Sequence, residues 1–338
     1  MAYYLSFNPE WPSIPYVPIP PKHFAIPHHG QRKLLVNEVA FLTTHAPDHS
    51  CSRLGDHDHG IVVYAGAAPG VHIIELARLF PDLQFHLYDP REFLEELCKM
   101  NNVKCYQSWF TEEIAAKYAD LDVLFISDIR TGLDDIIDNM MDQMKWCKAM
   151  RPRMASLKFR LPYCTETNKI NAVIYFDGDL RLQSWMARGS TECRLWTPCT
   201  NLRLYDFLEF EEKMAHYNQN IRLFTTGINI DFGNLHRRSY AYDNCNDCAI
   251  EQLTWQSYIN RYGRQPFPLI KKIQPLALSP HGDLPHVEPR ERMRRLMAQA
   301  LRFYDNYMRF EGHRADDNGR TMNEVLTSKN RPNRKSKK

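Results

Sequence analysis

The sequence predicts an α/β fold: a mostly parallel central sheet with helices on both faces and an antiparallel edge. Three observations carry that prediction. From residue 61 onward, short apolar runs of strand length alternate with stretches of helix length, the pattern of parallel strands joined by crossover helices. The first run, I-V-V-Y-A from Ile61, ends at Gly66, and a turn through Pro69 and Gly70 opens a helical pattern at Val71. The later runs are separated only by short turns, which suits an antiparallel edge.

Taken in order, residues 1–29 hold seven prolines between Pro9 and Pro27, with Trp11, Tyr16 and Phe24 among them. Proline at this density blocks a regular helix and favours an extended arm laid on a surface. The first helix starts near Gly30, with Leu34, Leu35, Glu38, Val39, Phe41 and Leu42 on a mostly apolar face and Lys33 in its opening turns. Residues 43–60 read as a polar loop carrying His45, His49, Cys51, His57 and His59, whose spacing fits no zinc pattern. Cys245-x-x-Cys248 lacks a second pair, so no metal site is assigned.

Strands are expected at 61–66, 83–88, 103–106, 122–127, 154–159, 172–176 and 192–196, and helices near 71–80, 91–100, 111–118 and 133–149. Helical patterns follow at 204–218, 247–262 and 288–309. The organisation expected is an arm (1–29), a main α/β domain (30–235), a helical extension (236–327) and a basic, disordered tail (328–338).

Composition narrows the class. The chain has 338 residues, 43% hydrophobic and 25% charged, enough for a sizeable core. No window approaches the ~18 consecutive apolar residues of a membrane span, and the first residues lack the basic-then-apolar pattern of a signal peptide. Nine cysteines without a tight framework fit reduced thiols and a cytoplasmic location. A net charge of +3 does not by itself argue for nucleic acid, so local basic clusters must.

The Gly66 turn places helix N-terminal N–H groups at the end of a strand, a cradle for a ligand. A glycine there lets a ligand approach the backbone. The next strand ends at Asp89, where a carboxylate can take both hydroxyls of a ribose. The turn is neither G-x-G-x-x-G nor a P-loop, and its single-glycine form suits S-adenosylmethionine better than NAD.

Four polar residues then stand out. Lys33 is in the opening helix, Asp128 ends L-F-I-S-D, Lys158 lies in S-L-K-F-R, and Glu192 lies in S-T-E-C-R-L-W. Taken singly, each also reads as a solvated or capping residue. Together, in this order, they resemble the Lys–Asp–Lys–Glu tetrad of mRNA cap 2′-O-methyltransferases. The motifs H-G-Q-R-K-L-L (29–35), V-V-Y-A-G-A-A-P-G-V-H-I (62–73), I-S-D-I-R (126–130), S-L-K-F-R (156–160), E-C-R-L (192–195) and F-E-E-K-M (210–214) look like the poxvirus branch of that family. Its members also serve as the small, stimulatory subunit of a poly(A) polymerase. The resemblance covers roughly residues 28 to 230.

The resemblance implies a Rossmann-like S-adenosylmethionine-dependent methyltransferase fold, with S-adenosyl-L-methionine as cofactor. Capped mRNA is the implied substrate, and a poly(A) polymerase catalytic subunit the implied partner. It places Gln31, Tyr64, Gly66, Gly70 and His72 around the methionine part of the cofactor, and Asp89 and Arg91 at the ribose or adenosine. The segment at Phe110 would touch the adenine, and Asp128 and Arg130 complete the set. The family has glycine after the ribose-binding acid, where this chain has Pro90. Tyr16, Tyr163 and Glu211 are implied for N7-methylguanine, a cationic ring suited to aromatic faces and a carboxylate. A second family acid is replaced by Thr165.

The chemistry expected follows. A ribose hydroxyl is a poor nucleophile until its proton is shared, and a lysine serves as base only where a neighbouring cation or burial lowers its pKa. Lys158 is the candidate base and Lys33 the neighbouring cation, with Asp128 and Glu192 orienting the ammonium groups. Arg151, Arg153, Arg160, Arg181, Arg188 and Arg194 are expected to meet RNA phosphates.

Overall fold

Strand β1 (Ile61–Ala65) lies in the interior of the sheet, and both of its faces are apolar. Val62 and Tyr64 pack on one side with Phe85, Leu87, Leu124 and Ile126. Val63 and Ala65 pack on the other with Val123 and Phe125. Successive side chains of a strand alternate sides, so each central strand feeds two cores at once. The computed structural model describes residues 5–17, 29–47, 60–132, 135–164, 171–187, 189–222 and 245–263.

In chain order the remaining elements are α1 (His29–His45), α2 (Val71–Leu79), β2 (Gln84–Tyr88), α3 (Glu95–Cys98), β3 (Val103–Tyr106), α4 (Glu112–Ala116), β4 (Val123–Ser127), α5 (Ile136–Met150) and β5 (Met154–Phe159). Then come β6 (Ala172–Phe176), β7 (Asp179–Arg181), β8 (Cys193–Thr197), β9 (Leu202–Asp206), α6 (Phe207–His216), a π-helical turn (Tyr217–Ile221) and α7 (Asn246–Tyr262).

The main sheet runs β3-β2-β1-β4-β5-β8-β7. Its first five strands are parallel, and β8 pairs antiparallel with both β5 and β7. The chain builds outward from β1 to β3, then returns to β1's other side with β4. Ligands of such sheets bind where that order reverses, at the carboxyl ends of the two strands. Helices α1, α2 and α7 contribute to one core through Leu35, Leu42, Ile73, Leu76, Trp255 and Tyr258. Helices α5 and α6 contribute to the other through Met140, Cys147, Phe210 and Met214.

The arm packs through its aromatic rings. Phe7 N–H donates to Leu180 O at 2.7 Å and Leu182 N–H to Leu5 O at 2.9 Å, a short continuation of the sheet edge beside β7. Trp11 stacks on Tyr217 at 5.4 Å, and Phe7 packs on Phe210 at 5.3 Å.

Three local expectations need correction. Residues 202–206 are strand β9, paired antiparallel with β6 in a separate two-stranded sheet, where a helix from 204 was expected. Asp206 caps α6, accepting from Glu209 N–H at 2.8 Å, so the helix starts only at Phe207. The helix expected at 91–100 shrinks to Glu95–Cys98, because Arg91 N–H turns back to the Asp89 carboxylate. Strand β7, three residues long, was not expected. The helix expected at 288–309, the tail 328–338 and Thr165 lie outside the described residues.

Candidate active site

Four elements deliver charge to one point. Helix α1 carries Lys33, the chain leaving β4 carries Asp128, β5 carries Lys158, and Glu192 precedes β8. Lys33 Nζ donates to Glu192 Oε1 at 2.5 Å. Lys158 Nζ is 3.0 Å from Asp128 Oδ1 and 3.7 Å from Glu192 Oε2. The structure therefore brings all four expected residues into one ion-pair network, with side chains only 13–16% exposed.

A fifth charge belongs to it. Arg194 faces Lys158 across the β5–β8 ladder and reaches Asp128 Oδ1 at 2.6 Å and Ser127 O at 2.9 Å. Burial alone raises a carboxyl pKa. At Asp128 that push is overcome by Arg194 and then Lys158, which hold it well below the usual carboxylate range. At Glu192 burial is likewise outweighed, by Lys33 first and then Lys158. Gln183, 1% exposed, joins the carboxylate to the guanidinium: its Nε2 donates to Glu192 Oε1 at 3.2 Å, and its Oε1 accepts from Arg194 Nε at 3.1 Å. Arg194, expected at RNA phosphates, is buried instead. Its spacing of two from Glu192 was the available signal, since alternate residues of an extended chain share a face. Gln183 offered none.

The expected cofactor residues divide into two groups. Asp89, 3% exposed, accepts from Ala68 N–H at 3.1 Å and from Arg91 N–H at 2.9 Å. It also takes Arg91 Nε and Nη2, each at 3.0 Å. These contacts hold the Asp89 pKa down against burial. The Arg91 side chain is 68% exposed, and the carboxylate that it covers is an acceptor pair of the kind that fits the two hydroxyls of a ribose. Gly70, in the left-handed region at φ 84°, opens α2.

Tyr64 and His72 lie deeper than expected. Tyr64 is fully buried and its hydroxyl donates to Glu38 Oε1 at 2.6 Å. His72 Nδ1 meets Gln31 Oε1 at 2.8 Å, and its Nε2 meets Glu38 Oε1 at 3.2 Å. Both rings therefore brace α1 against β1 and α2. Glu38 was visible in the sequence as the one acid on an apolar helix face. Phe110, 7% exposed, packs between Phe125 and Trp146. It serves the core because its ring is enclosed by other aromatic rings. Arg130 is half-buried, and burial lowers its guanidinium pKa against the pull of Glu192.

Gly66 answers to a neighbour in the chain. A Cβ there would lie 2.9 Å from the Asp128 carbonyl carbon, and its φ is 83°. The glycine lets the β1 and β4 ends close on each other, and that contact sets where Asp128 stands.

At the other end of the site, Tyr16 and Tyr163 stack face to face at 4.8 Å with planes 20° apart. Arg160 lies over Tyr163 at 4.7 Å. Glu211 Oε2 accepts from Cys164 N–H at 2.7 Å, and burial raises the Glu211 pKa. The three expected cap residues thus lie along one stretch of chain contacts, beginning two residues beyond Lys158 at Arg160.

Most of the expected phosphate contacts fall elsewhere. Arg151 and Arg153 precede the amino end of β5, away from Lys158, and pair with Asp120 and Asp122. Arg181 pairs with Asp179. Arg188 lies outside the described residues, as do His49, Cys51, His57 and His59. Among the described residues no cluster of three or more His, Cys, Asp or Glu could hold a metal ion. None of their helices is long and apolar enough to cross a membrane.

The strand order, the reversed β8 and the charge network at the carboxyl edge define a Rossmann-like methyltransferase fold. The family described as poly(A) polymerase regulatory subunit matches residues 19–254, and the chain belongs to that family. Among curated relatives it is 29% identical over 231 residues to a cap-specific mRNA (nucleoside-2′-O-)-methyltransferase of Myxoma virus (strain Lausanne), covering 62% of this chain and 66% of the relative. A Fowlpox virus (strain NVSL) protein of the same name is 28% identical over 216 residues, 57% of this chain and 68% of the relative. The chain thus spans just under two thirds of the Myxoma relative's length.

Proposed function

We propose that this chain transfers a methyl group from S-adenosylmethionine to the ribose 2′-hydroxyl of the first transcribed nucleotide of N7-methylguanosine-capped mRNA. The observation carrying this reading is the convergence of Lys33, Asp128, Lys158 and Glu192 within ion-pair distance at the carboxyl edge of the sheet. The names of the Myxoma and Fowlpox relatives support the reaction class.

When bound, the cofactor supplies a methyl group already activated by its sulfonium charge. Asp89 would hold the ribose once Arg91 moves aside, with the Gly66–Gly70 turn beside it. Lys158 Nζ, as the neutral amine, would take the hydroxyl proton as the 2′-oxygen forms its bond to the methyl carbon and the methyl–sulfur bond breaks, leaving a neutral thioether, while Asp128 and Glu192 fix that amine in direction. Much of the rate gain then comes from holding the hydroxyl in line with the methyl. Tyr16 and Tyr163 part to take the charged guanine ring between them, and Glu211 accepts from its N–H groups.

The test uses labelled S-adenosylmethionine and short RNAs bearing an N7-methylated cap, an unmethylated cap or no cap. Label at the first 2′-oxygen only with the methylated cap supports the reading. Replacing Lys158 with alanine should abolish transfer while cofactor binding remains. Absence of transfer to every RNA, with RNA binding intact, favours the second reading: an RNA-binding subunit that stimulates a poly(A) polymerase. The family's description supports that role, and one chain can serve both.

A further inference from the structure

Helix α7 lies outside the block of motifs, yet it holds the site from beneath. Glu251, 1% exposed, accepts from Arg32 through Nε at 2.9 Å and Nη2 at 2.7 Å. The same oxygen accepts Trp185 Nε1 at 2.6 Å, and the other accepts Trp255 Nε1 at 3.3 Å. The Arg32 guanidinium also stacks on the Trp185 ring at 4.0 Å. Trp185 holds φ at 60°, a state that bulky residues rarely adopt unless their surroundings impose it.

These contacts close a circuit. Arg32 is the residue before Lys33, whose ammonium meets Glu192. Trp185 is two residues after Gln183, whose amide meets both Glu192 and Arg194. One buried carboxylate therefore fixes both the segment that carries Lys33 and the segment whose Gln183 holds Glu192. We infer that Glu251 is a positioning residue for that pair, so that α7 sets the geometry of the charge network it does not touch. The inference rests on the methyltransferase reading for its kinetic consequence, and on the contacts alone for its structural one.

Removing one charge of a buried pair leaves the other unmet, whereas removing both is tolerated far better. The experiment therefore compares wild type with Glu251→Gln and with the double variant Glu251→Gln/Arg32→Met. Glutamine retains one oxygen for Trp185, so the double variant loses the tether on Arg32 and, besides it, only the longer bond from Trp255 within α7. Three readouts are taken: melting temperature, kcat and KM with methylated-cap RNA, and the rate at which acetic anhydride labels Lys33, with exposed Lys99 as internal control. The expected result is a double variant that melts above Glu251→Gln. Its kcat should fall about tenfold or more at unchanged KM, with faster Lys33 labelling and unchanged Lys99 labelling. A folded double variant with wild-type kcat and wild-type Lys33 labelling overturns the inference. A wild-type chain that transfers no methyl overturns the functional reading instead, and the Lys33 labelling rate then decides the positioning role alone.

Discussion

Lys158 and Arg194 stand opposite each other in the β5–β8 ladder and share a single oxygen, Oδ1 of Asp128, at 3.0 and 2.6 Å. The shorter contact belongs to the arginine, which is 2% exposed and has no other carboxylate partner among the described residues. Asp128 thus binds a permanent cation first and the amine second.

Arg194→Met should be costly for that reason. Removing one partner of a buried ion pair costs about 3–5 kcal/mol, and Ser127 O and Gln183 Oε1 lose their donor as well. Urea unfolding of the variant should show a midpoint lowered accordingly. A midpoint equal to wild type would mean that the arginine does not hold Asp128 in solution.

The tyrosine pair makes a prediction about affinity. Tyr163→Ala should weaken binding of methylated-cap RNA by about 0.5–2 kcal/mol, the range of a cation–π contact. Binding of uncapped RNA should be unaffected. Fluorescence titration with the two RNAs separates the cases, and equal weakening of both would remove Tyr163 from the cap site.

Gly66→Ala tests the contact between strand ends. The added carbon would meet the Asp128 backbone at 2.9 Å with φ at 83°. A non-glycine residue held in that region costs on the order of 1–3 kcal/mol, and relief by backbone movement would displace Asp128. Stability and turnover should therefore both fall. An active variant of unchanged midpoint would show that the turn is looser than described.

His86 gives the pH dependence. Burial, with Lys104 adding to it, lowers its pKa from 6.5 to about 4, and its Nδ1 lies 2.8 Å from the Tyr118 hydroxyl. Between those values the unfolded chain binds the proton and the folded chain does not. This contribution is therefore complete above about pH 6.5 and is lost as pH falls toward about 4. Melting temperature measured across that window should rise with pH in wild type and rise less in His86→Gln. Identical slopes would assign the dependence to other groups.

The two cores were legible because each central strand is apolar on both faces, as in V-V-Y-A at 62–65 and V-L-F-I at 123–126. The tetrad was legible through the order in which its members resemble a known set, with Asp128, Lys158 and Glu192 at or near strand ends and Lys33 in helix α1. What stayed hidden depends on distance in sequence. Nothing near Glu251 announces Arg32, 219 residues away, and Gln183 is a neutral side chain whose meaning comes from the two charges it joins. The burial of Tyr64 on Glu38, and of Phe110 against Phe125 and Trp146, was hidden for a related reason: an aromatic residue reads the same in sequence whether it lines a pocket or supports it. Strand β9 was missed because Leu204, Tyr205, Phe207 and Leu208 follow helical spacing until Asp206 is seen as a cap.

The reversed direction of β8 has a consequence for assembly of the site. Lys158 lies one residue from the exit of β5, and Glu192 sits at the entrance of β8. Since the strands run oppositely, exit and entrance share one rim, and the two side chains come within 3.7 Å. A strand of the same five residues running parallel would have carried its entrance to the far rim, about 16 Å away at roughly 3.3 Å per residue. Lys158 and Glu192 can meet only because β8 comes back the other way.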